Sequence, residues 1–274
     1  MIIKLTFMLA LAALFGTVAF AQADDPVKQD AVKRFAALEA GVEADMQKYR
    51  EDQRKKFEAA REMMEKAKRE GRRAPSMPAM RMGPPTELIA KHMAEFEKAA
   101  ADYARTDDAI MYLSWIVKMG CIGRAKERVA VACNTLAKYH FKSQRIVDAL
   151  MAISLTGRLL GKQETERMLR SIEEQNPDPD VKARAILTRV TRALQNASVD
   201  GTEYAGAKAE ALRAAKIAKD PDIKRTVKSA IAGREQLIAG KVAADIVGID
   251  MDGNPLKLSD YKGKIIMLDF WGDW

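Results

Sequence analysis

Cysteine and histidine are scarce in this sequence, with two of each in 274 residues. So few soft ligands exclude a Cys/His metal cluster. A glycine-rich phosphate loop and a Gly-x-Ser-x-Gly nucleophile elbow are also missing, which removes two large enzyme classes. Aromatic residues make up only 6% of the chain, and its 9 Pro and 16 Gly mostly punctuate helical patterns. Past the N-terminus, no apolar run is long enough to span a bilayer. What remains is 48% hydrophobic and 31% charged. That balance belongs to a folded, helix-rich protein, since a disordered chain lacks apolar residues for a core. The length suits about two domains.

Residues 1–23 read as a secretory signal. Lys4 precedes the uncharged apolar run Leu5 to Phe20. Small residues follow at Ala19, Ala21 and Ala23, placing cleavage near Ala21 or Ala23 and the mature protein in the periplasm or cell envelope. An uncleaved anchor is the alternative. The formal net charge is +8, or +7 without Lys4. Between Lys48 and Arg81, basic residues outnumber acidic ones two to one. This basic arm, 48–81, is either a solvated helix face or a contact for an anionic envelope surface; nucleic acid is not expected as a partner of an exported protein.

The apolar spacing predicts one long helix over residues 26–70, capped by Asp25, with Val32, Phe35, Leu38 and Val42 on one face. It pairs with a helix from Thr86 to about Tyr103 through Leu88, Ile89, Phe96 and Tyr103. The linker between them, 74–85, is too rich in proline for a helix. Together these form a unit over residues 24–105. Residues 106–239 read as shorter amphipathic helices: one capped by Thr106 and Asp107 and ended by Gly120 and Gly123, then others near 124–140, after Ser143, 162–175, from Asp178 to about Leu194, 204–219 and 221–239. Such a series suggests stacked helical hairpins, an α-solenoid of tetratricopeptide or HEAT type; without a clean repeat period, an irregular bundle is the alternative.

At Gly240 the helical period stops. Ile246–Asp250 is a short β-type run, Asp252–Gly253–Asn254 a turn signal, and Leu256–Leu258 a second strand. Lys264–Phe270 then reads as a buried strand, apolar and bounded by turn residues.

The order of these pieces is similar to a known family. Residues Gly248 to Lys264, followed by Leu268-Asp269-Phe270-Trp271-Gly272-Asp273-Trp274, resemble the opening of bacterial exported thioredoxin-like thiol-disulfide oxidoreductases, the TlpA-like and AhpC/TSA redoxins. One departure is Ala243-Ala244 where that family usually has Ala-Pro. The resemblance covers about the last eighth of the chain, residues 240–274. It implies the first strands of an incomplete thioredoxin-like α/β domain after a mostly α extension. It also implies a Cys-x-x-Cys directly after Trp274, outside the given residues, so that this chain is inactive by itself. Asp269 matches the buried acid that exchanges protons with the second cysteine, and Phe270, Trp271 and Trp274 flank the dithiol. Partners would be protein thiols and disulfides, and no bound cofactor is required.

Other residues have competing readings. Cys121 and Cys133 form either a disulfide or two buried thiols, and neither is spaced as a Cys-x-x-Cys. Met77, Met80 and Met82, near Met63, Met64 and His92, are either Cu(I) ligands or tolerated linker residues. His92 and His140 read as structural. The whole chain could instead be an envelope helical-repeat interaction or scaffold protein.

Overall fold

The computed structural model describes residues 26–72, 85–236, 240, 242, 245–267 and 269. The expected signal peptide, the Asp25 cap and the methionines of the proline-rich linker lie outside them. Among the described residues the chain is mostly α, with one two-stranded sheet near its end.

The helices are α1 (Pro26–Arg69), α2 (Thr86–Asp102), α3 (Ala109–Gly123), α4 (Lys126–Tyr139), α5 (Val147–Leu155), α6 (Lys162–Gln175), α7 (Pro179–Asn196), α8 (Thr202–Ile217) and α9 (Pro221–Gln236). The long first helix and its pairing with α2 match the sequence reading. Phe35, Leu38 and Val42 of α1 pack on the core, and Phe35 meets Phe96 of α2 edge-on at 5.6 Å. Polar clasps reinforce that seam. The Tyr103 hydroxyl donates to Asp30 at 2.6 Å, the Tyr112 hydroxyl donates to the Ala31 carbonyl at 2.6 Å, and Arg34 pairs with Asp102 at 2.8 Å. Burial pushes the Tyr112 phenol up to about 12, so it stays a hydrogen-bond donor at neutral pH.

Helices α3, α5, α7 and α9 succeed one another in one row, while α4, α6 and α8 pack across it in turn. Two apolar clusters result. One gathers α1 to α6 and reaches Val181 and Ala185 of α7; the other joins α7, α8 and α9 through Ile186, Leu194, Tyr204 and Ile223. Helix α7 therefore carries both cores on different faces.

Local chemistry explains the breaks. Asp178 caps α7 as expected, accepting from the Asp180 and Val181 amides at 2.8 and 3.4 Å, with Pro179 at the first helical position. The start of α3 differs from expectation: Asp108 holds the cap position without a side-chain cap bond, and instead takes Arg145 at 2.6 Å. The helix ends at Gly123 as expected, but not at Gly120. Gly120 stays within the helix, and a Cβ there would sit 2.5 Å from Val129 of α4. Glycine is thus needed for the close approach of α3 and α4, while Arg124 adopts the left-handed turn at φ 58°.

His140 ends α4 and is buried. Its Nδ1 lies 3.8 Å from Asp107, and its Nε2 has no hydrogen-bond partner among the described residues. Burial pulls the imidazole below its ordinary value of 6.5, against the weaker opposing pull of Asp107. A depressed histidine binds fewer protons folded than unfolded. Its contribution is intact above about pH 6.5 and is lost as the pH falls through that value. The denaturation midpoint of the protein should therefore drop between about pH 7 and pH 5, and drop less in His140→Gln. Equal slopes in the two proteins would contradict this.

Candidate functional site

The tail 245–269 carries the residues with a functional expectation. Strands β1 (Val247–Ile249) and β2 (Pro255–Lys257) pair antiparallel, with Val247 opposite Lys257, Gly248 opposite Leu256 and Ile249 opposite Pro255. The turn between them is built by one carboxylate. Asp250 accepts from the amides of Asp252 at 3.0 Å and Asn254 at 2.8 Å, and its own amide donates to the Asn254 carbonyl at 2.9 Å. Gly253 supplies the positive φ of 85° that this turn requires. The Asn254 amide, foremost among these donors, holds the Asp250 carboxyl below its ordinary value.

A second carboxylate, not singled out from the sequence, fastens the far end of the hairpin. Asp245 accepts from the Ser259 amide at 2.8 Å and from its hydroxyl at 2.9 Å; those bonds, the amide first, lower its pKa. Neither charge nor periodicity marks this pair, because its partners lie fourteen positions apart. The Leu258 amide extends the ladder to Ile246 at 2.9 Å, and a single 3-10 turn, Leu258–Tyr261, follows β2.

Among the described residues of Lys264–Phe270, the expected strand is not formed. Residues 265–267 are irregular, and Ile265 and Met267 are fully exposed. The physical reason is pairing. A central strand needs neighbours for its amides and carbonyls, and the only sheet among the described residues is β1–β2. Asp269 is consequently exposed, not enclosed as a proton-transfer acid would be. Phe270, Trp271 and Trp274 lie outside the described residues. The hairpin also exposes Val247, Ile249 and Met251, so its apolar side chains have no core of their own.

The two thiols are elsewhere and have the wrong character for exchange chemistry. Cys121 on α3 is half-buried and Cys133 on α4 is buried, and both are free. Burial raises the Cys121 thiol and, with a smaller push from Cys121, takes Cys133 up to about 12. Attack on a disulfide needs a thiolate, so these positions suit packing rather than catalysis. Thiol titration of the unfolded protein should count two free cysteines. In the folded protein near pH 8, both should react more slowly than a free thiol, Cys133 the slower. Fast labelling of Cys133 would refute that placement.

The copper reading gains no geometry here. Met77, Met80 and Met82 lie outside the described residues. His92 stands between carboxylates, with Nε2 3.0 Å from Asp45 and Nδ1 3.3 Å from Glu95, and fastens α1 to α2. Among the described residues, no group of three or more His, Cys, Asp or Glu is placed to hold a metal ion. No helix among them is long and apolar enough to cross a membrane.

No family model matches the chain, and no solved structure matches it. Similarity to curated proteins is local. The chain is 44% identical over 43 residues to the thiol-disulfide oxidoreductase ResA of Bacillus subtilis strain 168, covering 16% of this chain and 24% of that protein. It is 42% identical over 43 residues to ResA of Bacillus thuringiensis strain Al Hakam, covering 16% and 25%. It is 43% identical over 49 residues to ResA of Geobacillus kaustophilus, covering 18% and 25%. The chain thus spans about a quarter of the length of these relatives, and its similarity to them is that of a thioredoxin-like relationship over a short stretch.

Proposed function

We propose that this chain is the leading part of an exported thiol-disulfide oxidoreductase: a signal peptide, a helical extension, and the first hairpin of a thioredoxin-like domain whose reactive cysteines follow Trp274. The observation that carries this reading is the carboxylate-fastened hairpin Asp245–Tyr261, in the stretch that resembles the redoxin opening, together with the local similarity to ResA proteins.

In the complete domain, a thiolate at a helix N-terminus attacks a sulfur of the substrate disulfide. A mixed disulfide forms and one substrate thiolate leaves. The second cysteine then attacks the mixed disulfide, releasing the reduced substrate and leaving the enzyme oxidised; a partner thiol protein returns the two electrons. Asp269, a short distance in sequence before that dithiol, would take the proton of the second cysteine once a completed sheet buries it. The exposed apolar residues Val247, Ile249, Ile265 and Met267 would supply the hairpin's share of the domain core.

Reading the coding sequence past codon 274 tests this most cheaply. A Cys-x-x-Cys within the next few codons is the expected result. A stop codon there would leave a helical interaction protein with a redoxin-like tail and no redox chemistry.

A further inference from the structure

Helices α6 and α8 both pack on α7 but serve different cores. Met168, Leu169 and Ile172 of α6 belong to the first apolar cluster. Tyr204, Ala207, Ala211 and Ala214 of α8 belong to the second. Three of those four α8 residues are alanines, each of which removes little apolar surface from water. Apolar burial therefore holds α8 weakly, and none of it runs to α6.

What joins the two helices is a group of four charges. Arg189 of α7 pairs with Glu173 of α6 at 3.4 Å and with Glu210 of α8. Arg213 of α8 pairs with Glu210 at 2.9 Å and reaches across to Glu173 at 2.6 Å. Each carboxylate thus accepts from both guanidinium groups, and the four charges cancel. Hydrogen bonds from Arg213 first and Arg189 next, against the opposing effect of burial, hold the Glu210 carboxyl down to about 2. An isolated exposed pair contributes little. Here Arg189 is 10% and Glu173 17% exposed, and removing a partner from so enclosed a charge leaves it uncompensated. Arg213 is 42% exposed, so its half of the group stays open to screening by salt. Other ties of α8 and α9 stop at α7 or at each other. Arg184–Asp220 at 3.0 Å and Arg234 to the Ala197 carbonyl at 2.7 Å fasten them to α7, and Lys208–Glu235 at 2.6 Å joins α8 to α9.

We propose that Glu173, Arg189, Glu210 and Arg213 form a salt-sensitive clamp that makes the two cores open as one. With the clamp broken, α8 and α9 open from α7 as a separate unit while α2 to α6 stay folded. The tail 245–269 follows α9 in the chain, so the clamp sets how firmly the base of that tail is anchored.

Native-state amide hydrogen exchange on the full chain tests this. Glu173→Gln with Arg213→Gln removes the pair between α6 and α8, keeps the net charge, and leaves Arg189 its bond to Glu210. Protection of α8 and α9 amides such as Ala211 and Val227 should fall on the order of 10- to 10²-fold, with Phe96 and Leu150 unchanged. High salt should produce the same selective fall in the parent and little further fall in the variant. E164Q/R167Q, which removes a largely exposed pair within α6, should change neither region. An equal fall in both regions, no fall in α8 and α9, the same fall in E164Q/R167Q, or a parent indifferent to salt would each overturn the proposal.

Discussion

The purified 274-residue chain is expected to show no turnover in an insulin-reduction assay, and a chain continued through a Cys-x-x-Cys after Trp274 is expected to show it. Cys133 is pushed up to about 12 by burial, and Cys121 is also raised. A thiol held above its ordinary value is almost entirely protonated at neutral pH and does not attack disulfides at a useful rate. Within the continued chain, Asp269→Asn should slow the resolving step by roughly 10²-fold, the lower range of general acid–base contributions. The slowing should be largest where the carboxylate of the parent is needed as a base, so the pH profile should change along with the rate. Turnover by the 274-residue chain itself, abolished by Cys121→Ser or Cys133→Ser, would contradict this account.

Phe96→Ala should be the most damaging single change in the helical region, costing about 3–5 kcal/mol. Phe96 is fully buried. Its ring stacks on Trp115 of α3 at 3.7 Å, meets Phe35 of α1 edge-on at 5.6 Å and faces Tyr112 at 6.2 Å. Truncation opens a cavity where three helices meet and also removes ring-to-ring terms of about 0.5–1.5 kcal/mol each. Against a total of about 5–15 kcal/mol for a domain, that is a large share. Phe96→Leu, which refills most of the volume, should cost markedly less. Urea denaturation followed by circular dichroism measures both. A loss under about 1 kcal/mol for the alanine variant would mean that the α1–α2–α3 junction is not a packed core.

The helical region was largely legible in the sequence because its signals are local. Phe35, Leu38 and Val42 recur at helical spacing, and Asp178–Pro179 announces a cap. The structure adds what spacing cannot carry. Gly120 reads as a helix end in sequence, yet serves the close contact with Val129. Asp108 reads as a neighbour of the cap, yet pairs with Arg145 across 37 positions.

In the tail the order of legibility reverses. The Asp250–Asn254 turn was readable from Gly253 and Asn254, since turn chemistry is short-range. The Lys264–Phe270 strand was readable as an apolar run, but a run becomes a strand only beside partners. Ile265 and Met267 have none among the described residues and are exposed. Asp269 shares that fate and is exposed, because the burial of a strand residue belongs to the sheet and not to the residue.

Residues 264–270 are expected to become a central strand once the rest of the domain is present. Amide hydrogen exchange on the continued chain tests it most directly. Protection of Ile265, Ile266 and Met267 at the level of the helical core, with fast exchange of the same amides in the 274-residue chain, is the predicted result. Fast exchange in both chains would contradict it, and would leave the helical region as the working part of the protein.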